Sequence, residues 1–138
     1  MKYLGLDLGS RTLGISTSDN LGLIASSLKT IRHEEEYDRL IKEVQLLVDE
    51  LRIEAIVLGF PKNMNNTIGP KGELSIKFKE ELEKVLTIPI YLEDERLTTK
   101  SATDVLIKGN VSRKKRKKVV DSLAATIILQ NFLDKKGN

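Results

Sequence analysis

Apolar and polar positions alternate from the first residues of the chain. Leu4, Leu6 and Leu8 fall on one side of an extended backbone and Gly5 and Asp7 on the other, which predicts a strand over residues 3–8. The turn Gly9-Ser10-Arg11-Thr12 leads into a second alternating run over 13–18. Asp19-Asn20-Leu21-Gly22 leads into a third strand over 23–31. The period then changes. Tyr37, Leu40, Ile41, Val44, Leu47, Val48 and Leu51 recur at steps of three and four, which is the stripe of an amphipathic helix over 34–52. Glu34, Glu35 and Glu36 are expected in its first turn, where the helix dipole favours acids. Residues 55–60, AIVLGF, are continuously apolar and predict a strand covered on both faces. Residues 61–72 are rich in Pro, Asn and Gly and predict a long, mobile loop bordering a functional site. A second helix over 73–86 presents Leu74, Phe78, Leu82 and Val85. A short strand over 89–92 follows, then a short helix over 98–108 capped by Thr98 or Thr99 and ended by Gly109-Asn110. The last helix, over 114–133, carries a stripe of Val120, Leu123, Ala124, Ile127, Ile128 and Asn131.

Three antiparallel strands followed by β-α units give an α/β fold. The expected architecture is a five-stranded mixed sheet with helices on both faces, the ribonuclease H-like arrangement in outline. A chain of 138 residues makes one domain over 1–138 with one core. No apolar run approaches the roughly 20 residues of a membrane span, so no membrane partner is expected. The opening apolar stretch contains Asp7, unlike a signal peptide, and a cytoplasmic protein is the default. No pattern in the chain specifies an oligomeric state.

Composition narrows the chemistry. Cysteine is absent, which excludes disulfides, thiolate metal sites and a cysteine nucleophile. The single histidine, His33, excludes a His-x-x-x-His zinc pair and leaves little scope for a serine triad. The net charge of +3 hides one local feature: Arg113, Lys114, Lys115, Arg116, Lys117 and Lys118 are six consecutive cations, and the rest of the chain is net acidic. Such a segment suits an anionic partner meeting one face. With three Tyr, three Phe and no Trp, base stacking is not expected to dominate that contact.

Three groups of acids stand where a fold alone does not need them. Asp7 lies inside a central strand, where a lone charge is costly unless paired or metal-bound, and Gly5 is expected to leave space on its face. Glu93, Asp94 and Glu95 follow a strand end, where ligands bind in open α/β sheets. Alternation lets at most two of these three share a face. Asp121 sits beside the apolar stripe of the last helix among small residues. Each also has a plain structural explanation: a turn, an acidic cap, a half-exposed helix residue. Together, oxygen donors from three segments suit hard divalent cations, Mg²⁺ or Mn²⁺. Such ions serve phosphodiester cleavage, with carboxylates within roughly 4–8 Å of one another around one or two ions.

Four motifs carry a resemblance that covers nearly the whole chain. GLDLGSRTLGIS at 5–16, GFPKNMNNTIG at 59–69, DERLTT at 94–99 and SRKKRKKVVDSLAATIILQ at 112–130 resemble the YqgF/RuvX family. Its members are ribonuclease H-like proteins, described as Holliday-junction resolvases and as nucleases for the 5′ end of pre-16S ribosomal RNA. The resemblance implies catalytic and metal-binding roles for Asp7, Glu95 and Asp121, with Asp94 a weaker metal candidate. Glu93 stands where the family varies. Arg11, Asn63 and Arg96 lie in the matched motifs and join Arg113–Lys118 as implied nucleic-acid contacts. Asn66 replaces an expected glycine, and Thr12 stands where many members have a basic residue.

The resemblance therefore implies a metal-dependent nuclease acting on structured nucleic acid, pre-rRNA first and a branched DNA junction second. An actin-like ATPase also begins with a strand-Asp-x-Gly turn, but it needs two lobes and a second phosphate loop. A nucleic-acid-binding module without catalysis is the non-enzymatic alternative, and retention of all three acids argues against it.

Overall fold

The computed structural model describes residues 1–60, 69–94 and 113–136, with side chains in the last segment from 123 onward. Its element order is β1 (Tyr3–Leu8), β2 (Thr12–Ser18), β3 (Ala25–Arg32), α1 (Tyr37–Leu51), β4 (Ala55–Phe60), α2 (Pro70–Val85), β5 (Ile90–Asp94) and α3 (Arg113–Lys136). The five strands form one sheet in the order β3-β2-β1-β4-β5. β1 pairs antiparallel with β2 and parallel with β4, β2 pairs antiparallel with β3, and β4 pairs parallel with β5. The C-terminal ends of β1, β4 and β5 therefore meet at one end of the sheet.

Both faces are covered, as the continuous apolar run of β4 requires. Leu4, Leu6, Leu8, Ile56 and Leu58 pack with Leu40, Val44 and Val48 of α1 and with Phe78 and Leu82 of α2. The other face packs Tyr3, Ala55 and Val57 against Ile128, Leu129 and Leu133 of α3. Gln130 pins α3 to the β2–β3 connection: its Oε1 accepts from the Ala25 N–H at 2.9 Å, and its Nε2 donates to the Leu23 carbonyl at 3.0 Å. Among the described residues no helix is long and apolar enough to cross a membrane.

Several boundaries differ from the expectation for identifiable reasons. β3 starts at Ala25 because the Asp19 carboxylate accepts from the N–H groups of Leu23 (2.8 Å) and Ile24 (3.1 Å), which extends the turn. α1 starts at Tyr37, so the three glutamates precede it. Glu35 has a φ of 70°, and the Glu36 side chain folds back to accept from the Glu34 N–H at 2.7 Å. α2 starts at Pro70, whose missing N–H and fixed φ suit a first helical position, so residues 70–72 belong to the helix. β5 runs on through Glu93 and Asp94. α3 takes in Arg113, so all six cations lie on its backbone. Asn131 is exposed, and Ala125, Leu129 and Leu133 complete the buried stripe. The rest of the expected loop, residues 61–68, and the expected helix over 98–108 lie outside the described residues.

Candidate active site

Asp7 is half-buried near the C-terminal end of β1, the central strand. Its neighbours Leu6 and Leu8 point into the α1/α2 core, so alternation turns Asp7 to the α3 face. The register shows what stands beside it. Asp7 pairs with Gly14 of β2. Leu6 pairs with Leu58 of β4, which brings Gly59 to the other side of Asp7. The carboxylate is thus flanked in its row by two residues with no side chain. A glycine within a strand marks a place where a ligand or another backbone approaches closely.

Gly5 does something different from the expectation. The space above it is filled by α3: a Cβ there would stand 2.8 Å from the Leu129 Cβ, 3.1 Å from the Ala125 carbonyl oxygen and 2.2 Å from the Ser16 Oγ. Ser16 in turn donates to the Ala125 carbonyl at 2.8 Å. Gly5 admits a helix rather than a ligand.

That close approach also sets the course of α3. Its C-terminal part packs on the start of β1, with Phe132 edge-on to Tyr3 at 5.8 Å. Toward its N-terminus the helix runs past Ala125 in the direction of the Asp7 end. Position 121 lies one turn, about 5–6 Å of axis, beyond Ala125 in that direction. The side chain of Asp121 lies outside the described residues, as do Glu95, Asn63 and Arg96 and the side chains of Arg113, Lys114, Lys115, Arg116, Lys117 and Lys118.

Two acids of the cluster after β5 can be located. Glu93 pairs with Gly59, so it ends the row of Asp7 on the same face, two strands away and roughly 10 Å along the sheet. It is buried and ion-paired with Lys135 of α3, a structural role that ties the edge strand to the helix. Asp94 pairs with Phe60 and alternates to the α1/α2 face, opposite Asp7. Among the described residues no three acids or histidines cluster as a metal site.

His33 supports the turn that follows Asp7, a role its pattern in the sequence did not suggest. It is buried, its Nε2 meets the Gly9 carbonyl at 3.0 Å, and its Nδ1 accepts from the Glu35 N–H at 3.0 Å. Nε2 is therefore the protonated nitrogen and donates to Gly9. The Gly9 N–H closes the turn on the Thr12 carbonyl at 2.7 Å. Arg11 stands exposed in that turn. Nearby, the Tyr37 phenol is pushed up by burial and by the Glu35 charge.

The chain is similar to known proteins over nearly its whole length. A family profile described as "RuvX: Holliday junction resolvase" matches residues 1–135. A protein of Geobacillus sp. (strain WCH70) named "Putative pre-16S rRNA nuclease" is 48% identical over 137 residues, covering 99% of each chain. One of the same name from Bacillus subtilis (strain 168) is 50% identical over 135 residues, covering 97% of this chain and 98% of the relative. Among solved structures, T. thermophilus RuvC in complex with Holliday junction substrate superposes with a TM-score of 0.62 at 18% identity, covering 100% of this chain and 97% of that one. That likeness shows the fold, which is the ribonuclease H-like sheet with helices on both faces.

Proposed function

The chain belongs to the RuvX family, and on that premise we propose that it is a metal-dependent nuclease that hydrolyses phosphodiester bonds at the 5′ end of pre-16S ribosomal RNA. The observation that carries the reading is Asp7: a carboxylate on the central strand, at the sheet end where three parallel strands terminate, with glycines on both sides of it. The names of the relatives at 48% and 50% identity supply the substrate.

Asp7, Glu95 and Asp121 would hold Mg²⁺ or Mn²⁺, and their all-oxygen donor set suits such ions. Asp94, on the opposite face, is left out of the set. A cation held there would supply Lewis acidity for water activation and charge neutralisation at the phosphate. The chain's own residues do the rest. The central strand carries Asp7, Gly14 and Gly59 place no side chain beside it, and the cations of Arg113–Lys118 attract the backbone without reading sequence. Arg11, in the turn after β1, adds a cation at the same sheet end. A cytoplasmic location goes with a ribosomal RNA precursor as substrate.

The family description favours a second reading, a four-way DNA junction. Cleavage of matched RNA-precursor and DNA-junction substrates in Mg²⁺ and in Mn²⁺ separates the two. Metal-dependent cleavage of the RNA is the expected result, and cleavage of the junction alone would replace the substrate. Binding without cleavage of either would make the chain a nucleic-acid-binding module.

A further inference from the structure

Around the end of the sheet from Asp7, on the α1 side, lies a polar cleft. Its volume is about 220 Å³, and Arg11, Arg32, His33, Glu34, Glu36 and Arg39 line it. Guanidinium groups reach it from three segments: the β1–β2 turn, the last residue of β3 and the first turn of α1.

The backbone beneath is firmly built. Thr12 pairs with Arg32, and the His33 N–H donates to the Arg11 carbonyl at 2.9 Å. Arg39 Nη2 donates to the Arg32 carbonyl at 2.7 Å. The buried His33 ring ties both the Gly9 carbonyl and the Glu35 N–H into the same floor. Arg39 meets Glu36 at 3.5 Å. The Glu34 N–H, with help from Arg39, holds the Glu36 carboxyl below the usual carboxylate range. Arg11 and Arg32 are in none of the ion pairs between described residues. The lining sets three guanidinium groups against the carboxylates of Glu34 and Glu36, one excess positive charge, and Arg11 and Arg32 are exposed.

A guanidinium fork matches a phosphate's oxygens in pairs, and two forks can grip one group. A cleft of about 220 Å³ has room for a phosphate with part of its hydration. We propose that this cleft is a subsite for a backbone phosphate of the nucleic-acid substrate, flanking the phosphodiester held at Asp7. The proposal rests on the nuclease reading. A strand crossing the sheet end past Asp7 and the β1–β2 turn brings its next phosphates to Arg11 and Arg32. Free inorganic phosphate shares the chemistry and is the competing source.

The test compares wild type with Arg32→Gln, with Arg11→Gln/Arg32→Gln and with Lys84→Gln as a control. Lys84 lies in the last turn of α2, at the opposite end of the sheet. Binding of a labelled precursor-RNA duplex is titrated across salt concentrations, with melting curves to confirm folding. The double variant should lower the slope of log K against log salt by about 1, Arg32→Gln by less, and Lys84→Gln not at all. An unchanged slope in a folded Arg32→Gln and in the double variant overturns the subsite while leaving the nuclease reading in place. An equal loss in Lys84→Gln also overturns it, because the effect would then be general charge. A wild type that binds no RNA overturns both. Inorganic phosphate is the second probe. If it raises the wild-type Tm through Arg11 and Arg32 while the RNA slope stays unchanged, the cleft takes the free ion and the subsite is refuted.

Discussion

Gly5→Ala should be among the most damaging single-methyl changes in this chain. The added Cβ meets the Ser16 Oγ at 2.2 Å, the Leu129 Cβ at 2.8 Å and the Ala125 carbonyl oxygen at 3.1 Å. Ser16 can rotate, but that breaks its 2.8 Å bond to Ala125 and removes about 1 kcal/mol. The Leu129 Cβ and a helix carbonyl cannot rotate away, so α3 must move off β1. Overpacking of this kind costs about 1–3 kcal/mol. The total is about 2–4 kcal/mol, which lowers Tm by roughly 7–14 °C in a chain of this length. Ser16→Ala, which loses the bond without a clash, should cost only about 1 kcal/mol. Because α3 carries position 121 toward Asp7, an ångström of displacement should also reduce cleavage about a hundredfold at temperatures where the variant is folded. The assays are thermal denaturation by circular dichroism and cleavage well below the melting temperature. A Gly5→Ala protein that melts within a degree or two of wild type and cleaves at its rate would refute the reasoning.

Three other outcomes follow from the same geometry. Changing Lys114, Lys115, Lys117 and Lys118 together to Gln should flatten the salt dependence of duplex binding by roughly 2–3 in slope, since a helix turns part of the run away from any one backbone; an unchanged slope would make the run a solvated helix start. His33→Ala leaves the Glu35 N–H and the Gly9 carbonyl without their partner and should destabilise by about 2–3 kcal/mol in urea titration; a loss under 0.5 kcal/mol would remove His33 as the turn's support. Asp19, held below the ordinary carboxylate range by the N–H groups of Leu23 and Ile24, lends the β2–β3 turn stability that is present above the unfolded carboxylate's pKa and lost as pH falls through the lower folded value. Its NMR titration should therefore have a midpoint below 3.8, reported by the Leu23 and Ile24 amides; a midpoint at or above that value would contradict the capping geometry.

The parts of the fold legible in the sequence are those where one period dominates. The alternation of Tyr3–Leu8 and the unbroken AIVLGF run give β1 and β4 to the residue, because burial on one face or both dictates the pattern. The stripe of α1 is legible for the same reason. Its start is not, because the acids at 34–36 suit a first turn by charge, while the backbone at Glu35 and the back-bond of Glu36 decide otherwise. Gly5 was ambiguous in principle: a missing side chain marks close approach but does not say what approaches. The pairing of Gly14 and Gly59 around Asp7 needs the sheet register, which joins residues about 50 positions apart. Glu93 shows the same limit. Only the pairing with Gly59 and the ion pair with Lys135 distinguish it from Asp94 next to it. Asp7 itself was legible because a charge inside a central strand conflicts with every local rule, and such conflicts gather at working sites.

The central claim is that Asp7 anchors a metal-dependent hydrolytic site, and Asp7→Asn tests it most directly. The change keeps the shape of the side chain and removes its charge. Cleavage of the precursor RNA by wild type and variant is measured in Mg²⁺ and in Mn²⁺, alongside melting curves. The account predicts an equally folded variant that binds the RNA but has lost about a thousandfold or more of the cleavage rate, several kcal/mol of transition-state stabilisation. A folded Asp7→Asn protein that cleaves at the wild-type rate would contradict it.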